Sequence, residues 1–242
     1  MSMDCYEIKT FDSRVKGNSY VGRGIVVGTS PSGKYAVFAY FIMGRSTNSR
    51  NRVFVKEGKS ITIYPFDPSK VDDPSLIIYS PIREIRNSII VTNGDQTDTI
   101  YDFIKEGKTF EEALDTRTFE PDEPNFTPRI SAILNFGEKF TYKMNILKSI
   151  DKDGTDCQRF TYSYPSVKGL GHFIHTYQGD GKPLPTFFGE CERVEIPEDI
   201  DEFTKTIWNS LDEDNKISLC VRYISLEDRT EREIIINKNQ EA

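Results

Sequence analysis

One short segment concentrates groups that can bind an anion. Residues 44–52 read GRSTNSRNR, so three arginines stand among hydroxyl and amide side chains. Guanidinium groups match phosphate or carboxylate oxygens in a bidentate way, and Ser, Thr and Asn add further donors. The segment lacks the GxxxxGK[ST] pattern of a Walker A loop. We therefore predict a phosphate or carboxylate receptor of another kind, and a solvated basic face is the alternative. The candidate ligand-binding residues are Arg45, Ser46, Asn48, Arg50 and Arg52.

The charge distribution favours a local anionic ligand. No acidic residue lies between Asp12 and Glu57, whereas eight Lys and Arg residues do. That stretch carries +8 in a chain of net charge −7, which leaves −15 on the remainder. A basic segment inside an acidic protein indicates one small anion and argues against a general nucleic-acid binder.

Two further polar segments could take part in chemistry. Residues 92–99 (TNGDQTDT) precede a predicted helix, whose N-terminal N–H groups favour anions, and Asp95 or Thr97 could also cap that helix. Residues 120–126 (EPDEPNF) form a predicted loop whose carboxylates could act as acid or base, or could simply be solvated. Arg129 enters an apolar strand, so it needs a partner or a ligand.

Histidine and cysteine placement argues against a metal site. His172 and His175 are three residues apart in a predicted strand, so their rings should lie on opposite faces of the sheet. The four cysteines are far apart and include no CxxC pair, which favours free thiols in a reducing compartment. Cys5 allows one alternative, an amide hydrolase whose N-terminal nucleophile is exposed by processing before Cys5.

The elements that must position these residues alternate mainly at the period of a β-strand. Phe140, Tyr142, Met144 and Ile146, for example, should share one face. The predicted strands are residues 20–28, 35–43, 60–65, 76–80, 83–92, 129–136, 139–150, 158–164, 171–178, 216–225 and 230–237. Helices are predicted after residue 97 with a stop at Gly107, over 110–117 behind a Thr109–Glu112 capping box, and over 201–212.

This order of elements predicts an α+β fold in a single domain over residues 1–242. Strands that arrive as hairpins, with the helices grouped, do not fit a doubly wound parallel sheet. Two antiparallel sheets packed face to face, with helices outside, would bury both kinds of apolar face. No apolar run reaches the roughly 18 residues of a membrane span, and the first residues do not resemble a signal peptide. We therefore expect a cytoplasmic protein.

Four blocks, in this order, resemble the archaeal-type IMP cyclohydrolases and their bacterial relatives. They are YVGRGIVVG, AYFIMGRSTNSRNR, VTNGDQTDTI and NFTPRISAILN, and the later GHFIHTY is similar to the bacterial branch. The resemblance implies a four-layered αββα sandwich like that of the N-terminal nucleophile hydrolases, but without self-processing. It also implies dehydrative ring closure of 5-formamidoimidazole-4-carboxamide ribonucleotide to inosine monophosphate, with no cofactor and no metal.

The resemblance also implies roles for particular residues. Arg23 would hold phosphate or stabilise an oxyanion, Tyr79 would be catalytic, and the catalytic acid would be Glu120 or Glu123. Asn93, Thr97 and Asp98 would contact the base or carboxamide, and Arg129 would also bind substrate. A nucleotide-binding protein without turnover is a further alternative. The expected partner is a purine ribonucleotide, with no nucleic acid or membrane, and the sequence leaves a homo-oligomer open.

Overall fold

Two antiparallel sheets form the framework of the part of the chain that the computed structural model describes, namely residue 4, residues 6–71 and residues 78–240. The six strands of the first sheet are, in spatial order, Glu192–Glu195 (β11), Leu170–His175 (β10), Arg23–Thr29 (β1), Tyr35–Met43 (β2), Lys216–Ser225 (β12) and Glu231–Asn237 (β13). The seven strands of the second sheet follow chain order: Val53–Glu57 (β3), Ser60–Tyr64 (β4), Tyr79–Ile85 (β5), Ser88–Thr92 (β6), Arg129–Phe136 (β7), Phe140–Ser149 (β8) and Cys157–Pro165 (β9).

Five α-helices accompany these sheets in the described residues. They are Phe11–Val15 (α1), Thr47–Arg50 (α2), Gln96–Lys105 (α3), Phe110–Asp115 (α4) and Ile200–Ser210 (α5). Beyond α3 the chain turns at Gly107, whose φ of +85° suits glycine. At the start of α4, the Thr109 hydroxyl accepts from the Glu112 N–H and the Glu112 side chain accepts from the Thr109 N–H, which confirms the predicted capping box.

Apolar side chains form three clusters that match the faces of the sheets. The largest lies between the sheets and joins Ile25 and Phe38 of the first sheet to Val91 and Ala132 of the second. The even-numbered residues from Phe140 to Ile146 all lie in it, as their alternation predicted. A second cluster packs α1 and α5 against the other face of the first sheet, and a third packs α3 and α4 against the second sheet. The α+β prediction is confirmed.

Some predicted boundaries were wrong for identifiable reasons. Residues 83–92 were predicted as one strand, but they form the end of β5, a turn and β6, because Arg86 takes a left-handed φ of +53° and reverses the chain. Strands β3 and β11 and helices α1 and α2 are too short to show a period and were missed. The predicted strand 76–80 begins outside the described residues. In the described part of the chain, no helix is long and apolar enough to cross a membrane.

Candidate active site

A cavity of about 630 Å³ opens where several strands of both sheets begin or end. Arg23 begins β1, Tyr79 begins β5, Arg129 begins β7, and Asn93 follows the last residue of β6. The residues that line the cavity are Arg23, Arg52, Ile78, Tyr79, Asn93, Gly94, Asp95, Glu120, Pro121, Asp122 and Arg129. Two clefts of about 670 and 710 Å³ lie elsewhere and include none of the predicted site residues. The volume of the site suits a small-molecule ligand.

Two arginines in the cavity lack partners. Neither the Arg23 nor the Arg52 guanidinium makes a hydrogen bond or an ion pair with the described residues, and the Nε atom of each is buried without an acceptor. Burial, followed by the positive charge of Arg23, lowers the pKa of Arg52. Two partly buried like charges that form no ion pair are costly unless an anion joins them. The geometry therefore makes the pair a candidate receptor for an anionic group.

Glu120 provides a carboxyl group beside this receptor. Burial raises the pKa of the Glu120 carboxyl, and the charge of Asp122 adds to that effect. Arg23 opposes the shift more strongly than any other charged neighbour, but the net direction remains upward. A carboxyl whose pKa is raised can hold a proton at higher pH than usual and release it to a nearby oxygen. The cavity therefore combines cationic groups with a candidate acid.

Tyr79 is fixed on the wall of the cavity by a short chain of hydrogen bonds. Its hydroxyl donates to the Asn93 carbonyl at 2.8 Å and lies 3.5 Å from the hydroxyl of the buried Tyr40. Both polar atoms of the Asn93 side chain have partners, because Nδ2 donates to the Pro128 carbonyl and Oδ1 accepts from the Ile130 N–H. Asn93 therefore holds Tyr79 in place through its backbone, and its amide joins two strand ends.

An ion-pair network forms the side of the cavity near α3. The Asp95 carboxylate pairs with Arg129 at 2.7 Å and with Arg117 at 2.5 Å. Burial opposes the negative charge of Asp95, but the hydrogen bonds and charges of both arginines lower its pKa. The Arg129 side chain is only 13% exposed and also donates to Gln96 Oε1 at 2.9 Å. The sequence-based expectation that Arg129 needs a partner is met by Asp95.

The structure separates the residues of the predicted GRSTNSRNR receptor, because only Arg52 lines the cavity. Arg45 pairs with Asp180 and lies over the Tyr20 ring at 5.0 Å. Arg50 donates to the Gly44 carbonyl and to Asn215 Oδ1. Ser46 caps the one-turn helix α2 through Ser49, and Asn48 is exposed outside the cavity. Ser46 is used within the local turn, whereas Arg45 and Arg50 also bond to residues of other segments, so the structure does not bring these residues together with Arg52 in one cradle.

Three other predicted residues also lie outside the cavity. Thr97 is buried, and its hydroxyl donates to the Gly94 carbonyl at 3.0 Å, so its side chain binds the backbone just before α3. Asp98 pairs with Arg83 at 2.5 Å. Glu123 is exposed and does not line the cavity, whereas Glu120 does. The geometry thus favours Glu120 between the two candidate acids.

Sequence reasoning missed the importance of Asp122 and Arg117. Asp122 belongs to the acidic loop that was singled out, but nothing in its spacing distinguished it from the other carboxylates there. For Arg117, the sequence pattern predicts only that it ends the helix over residues 110–117. Asp122 acquires its role through Thr127, whose hydroxyl also contacts the distant Tyr177, and Arg117 acquires its role from its contact with Asp95.

The histidines lie on opposite faces of β10, as their spacing predicted. His172 Nδ1 is 2.6 Å from the Tyr142 hydroxyl, and His175 Nδ1 donates to the Tyr177 carbonyl at 2.8 Å. Burial lowers the pKa of each to about 4. No cluster of three His, Cys, Asp or Glu side chains suited to a metal ion occurs among the described residues. Cys5, the alternative nucleophile, is outside them.

Together, the fold and the cavity define an α+β protein with a cavity that places cationic side chains beside a carboxyl whose pKa is raised. The model of the IMP cyclohydrolase-like protein family matches residues 20–229, and the chain belongs to that family. This confirms the resemblance seen in the four sequence blocks.

Three relatives named IMP cyclohydrolase show the extent of the similarity. The Methanopyrus kandleri protein is 38% identical over 125 residues, which cover 50% of this chain and 61% of that relative. The Methanococcus aeolicus protein is 35% identical over 163 residues, or 66% of this chain and 74% of the relative. The Methanothrix thermoacetophila protein is 35% identical over 120 residues, or 48% and 58%. The matched region thus spans about six tenths of the first and third of these relatives.

Proposed function

We propose that this chain is an IMP cyclohydrolase that closes the six-membered ring of inosine monophosphate in purine biosynthesis. The observation that carries the proposal is the pair of partnerless guanidiniums, Arg23 and Arg52, in one cavity with Glu120. Family membership and the names of the archaeal relatives support the same reaction. The substrate is a purine ribonucleotide precursor, and we place the reaction in the cytoplasm.

Ring closure makes few chemical demands. The carboxamide nitrogen attacks the formyl carbon, and the formyl oxygen becomes an oxyanion. One proton from the carboxamide nitrogen and one from the formamido nitrogen then leave with that oxygen as water. Because the two reacting groups are attached to one imidazole, much of the rate comes from holding them in the reactive orientation.

The cavity residues divide into two roles in this proposal. Arg52 binds the 5′-phosphate through charge-assisted hydrogen bonds. Arg23 faces the formyl oxygen and stabilises its developing negative charge, since of all charged groups it acts most strongly on Glu120. Protonated Glu120 donates to the oxyanion and, as a carboxylate, accepts a proton from nitrogen. Tyr79, anchored on Asn93, orients the imidazole.

The proposal extends to the architecture. We infer that the chain is one domain with a four-layered αββα arrangement like that of the N-terminal nucleophile hydrolases. The three apolar clusters support this inference, because helices pack on the outer face of each sheet and the largest cluster lies between the sheets. No self-processed nucleophile is needed, since the candidate catalytic groups are side chains that do not require a free N-terminus.

Turnover of 5-formamidoimidazole-4-carboxamide ribonucleotide tests the function. The wild-type chain should form inosine monophosphate well above the uncatalysed rate, and Glu120→Gln should lower kcat by about a hundredfold, within the usual range for a general acid. The matched control is Glu227→Gln, which changes an exposed carboxylate in the turn after β12 and should leave kcat unchanged. Nucleotide binding without product in the wild type would instead indicate a binding protein.

A further inference from the structure

The loop that carries Glu120 is closed by hydrogen bonds between its ends. The Glu120 N–H donates to the Thr127 carbonyl at 2.9 Å, and the Asn125 N–H donates to the Asp122 carbonyl at 3.0 Å. The Asp122 carboxylate accepts from the Thr127 N–H at 2.6 Å and also from the Thr127 hydroxyl. The conformation at Glu120 therefore depends on the contacts of Asp122 and Thr127.

The same contacts connect this loop to the first sheet. The Thr127 hydroxyl lies 2.5 Å from the hydroxyl of Tyr177, whose ring is only 1% exposed. A carboxylate can only accept, so Thr127 gives its proton to Asp122, and Tyr177 must give its proton to Thr127. The three groups thus form a directed chain, Tyr177 to Thr127 to Asp122, with no spare donor.

Tyr177 is in turn fixed against the strand that begins with Arg23. Its N–H donates to the Val21 carbonyl, and the Thr176 hydroxyl accepts from the Arg23 N–H at 3.1 Å. Gly22 between them has a φ of +78°, and a Cβ there would lie 2.7 Å from the Tyr177 ring. The chain of hydrogen bonds therefore joins the loop of Glu120 to the backbone of Arg23.

We propose that Asp122, Thr127 and Tyr177 are positioning residues that hold Glu120 opposite Arg23 and maintain its surroundings. The inference rests on the proposed function for its kinetic consequence, but not for its structural content. The negative charge of Asp122 lies in the wall of the cavity and favours the protonated form of Glu120. The Asp122 carboxylate therefore both orders the loop and helps to keep Glu120 protonated.

Kinetic variants test the positioning role in the full chain. Thr127→Val removes the hydroxyl at nearly constant volume and should lower kcat by about ten- to a hundredfold with little change in KM, because misplaced catalytic groups lose rate before affinity. Thr127→Ser keeps the hydroxyl, so its kcat should stay within about threefold of the wild-type value. Such a change corresponds to less free energy than one ordinary hydrogen bond contributes. Asp122→Asn should lower kcat and also shift the pH profile of Glu120 to lower pH.

The matched controls lie in the turn between β12 and β13. There the Asp228 carboxylate accepts from the N–H and the hydroxyl of Thr230. Thr230→Val therefore removes a hydroxyl-to-carboxylate hydrogen bond like that lost in Thr127→Val, and Asp228→Asn removes a carboxylate charge like that lost in Asp122→Asn, both away from the cavity. Both controls should retain wild-type kcat and pH profile. Equal losses in the control and test variants would assign the effect to general destabilisation and overturn the proposal.

A titration without substrate separates this inference from the proposed function. The carboxyl carbons of glutamate are labelled with ¹³C, and the Glu120 signal is assigned by its loss in Glu120→Gln. The pKa of Glu120 should fall in Asp122→Asn and move toward its ordinary value in Thr127→Val, whereas Thr127→Ser should match wild type. An unchanged pKa in both Asp122→Asn and Thr127→Val refutes the positioning role. If the wild type forms no product, the proposed function fails, but this titration still decides the inference.

Discussion

Arg52→Met should separate nucleotide affinity from stability. The substitution removes a guanidinium whose Nε is buried without an acceptor and whose charge is opposed by burial and by Arg23. A buried unsatisfied donor costs about 1–3 kcal/mol, so an apolar side chain of similar length should leave the free energy of unfolding unchanged or higher. The affinity for a phosphorylated nucleotide should fall, because a charge-assisted hydrogen bond contributes about 1.5–3 kcal/mol. That loss corresponds to a factor of about ten to a hundred and fifty in Kd.

Calorimetric titration with inosine monophosphate and with inosine tests the role of Arg52 directly. If Arg52 binds the phosphate, the variant should lose affinity for the nucleotide and keep the affinity of the wild type for the nucleoside. Thermal unfolding of the same samples measures stability. A comparable loss for both ligands would show that Arg52 acts on the base or on the fold, and an unchanged nucleotide affinity would refute the phosphate assignment.

Arg222→Met provides the contrast for this experiment. Arg222 is fully buried like a core residue, but it pairs with Glu233 at 2.5 Å and with Glu84 at 3.0 Å. Its removal leaves these two carboxylates with only the more exposed Lys56 and Lys59 as ion-pair partners, and removing one partner of a buried ion pair typically costs about 3–5 kcal/mol. We therefore expect Arg222→Met to lower the unfolding temperature strongly, whereas Arg52→Met should not.

Three further predictions concern pH and the residues outside the cavity. The raised pKa of Glu120 means that the folded state binds this proton more tightly than the unfolded state, so ionisation of Glu120 lowers the free energy of unfolding as pH rises. In chemical unfolding, Glu120→Gln should therefore increase the free energy of unfolding at pH 7. This increase should vanish below the ordinary glutamate pKa. Burial lowers the pKa of His175 to about 4, so stability should fall as pH drops from about 6.5 toward 4, and His175→Asn, which keeps a donor for the Tyr177 carbonyl, should flatten that fall. Arg50→Ala should change nucleotide affinity less than about twofold by calorimetry, because its guanidinium is held by neutral acceptors outside the cavity and misses the charged phosphate.

The fold was accessible from the sequence where a local pattern decides the structure. Strands β2, β7 and β12 were predicted with the bounds that the structure has, because long apolar or alternating runs end at clear turn residues. The Thr109 capping box was also predicted, since it depends on residues three apart. Strand β11 was missed because it has only four residues, and because its conformation comes from pairing with β10, a contact that no local sequence pattern reveals.

The candidate site shows the same limit. The family resemblance predicted roles for Arg23, Tyr79 and either Glu120 or Glu123, and the structure brings Arg23, Tyr79 and Glu120 to one cavity. Arg45 and Arg50 do not line the cavity with Arg52, because nearness in sequence does not fix the direction in which a side chain points. Helix α2 turns the chain between them, and their nearest acceptors lie on other segments.

A structure of the chain bound to inosine monophosphate tests the central claim most directly. We expect the phosphate within hydrogen-bonding distance of Arg52, and the purine carbon that derives from the formyl group beside Arg23 and Glu120. A phosphate bound instead by Arg45 and Arg50, with the cavity of Arg23 and Glu120 unoccupied by the nucleotide, would contradict the account.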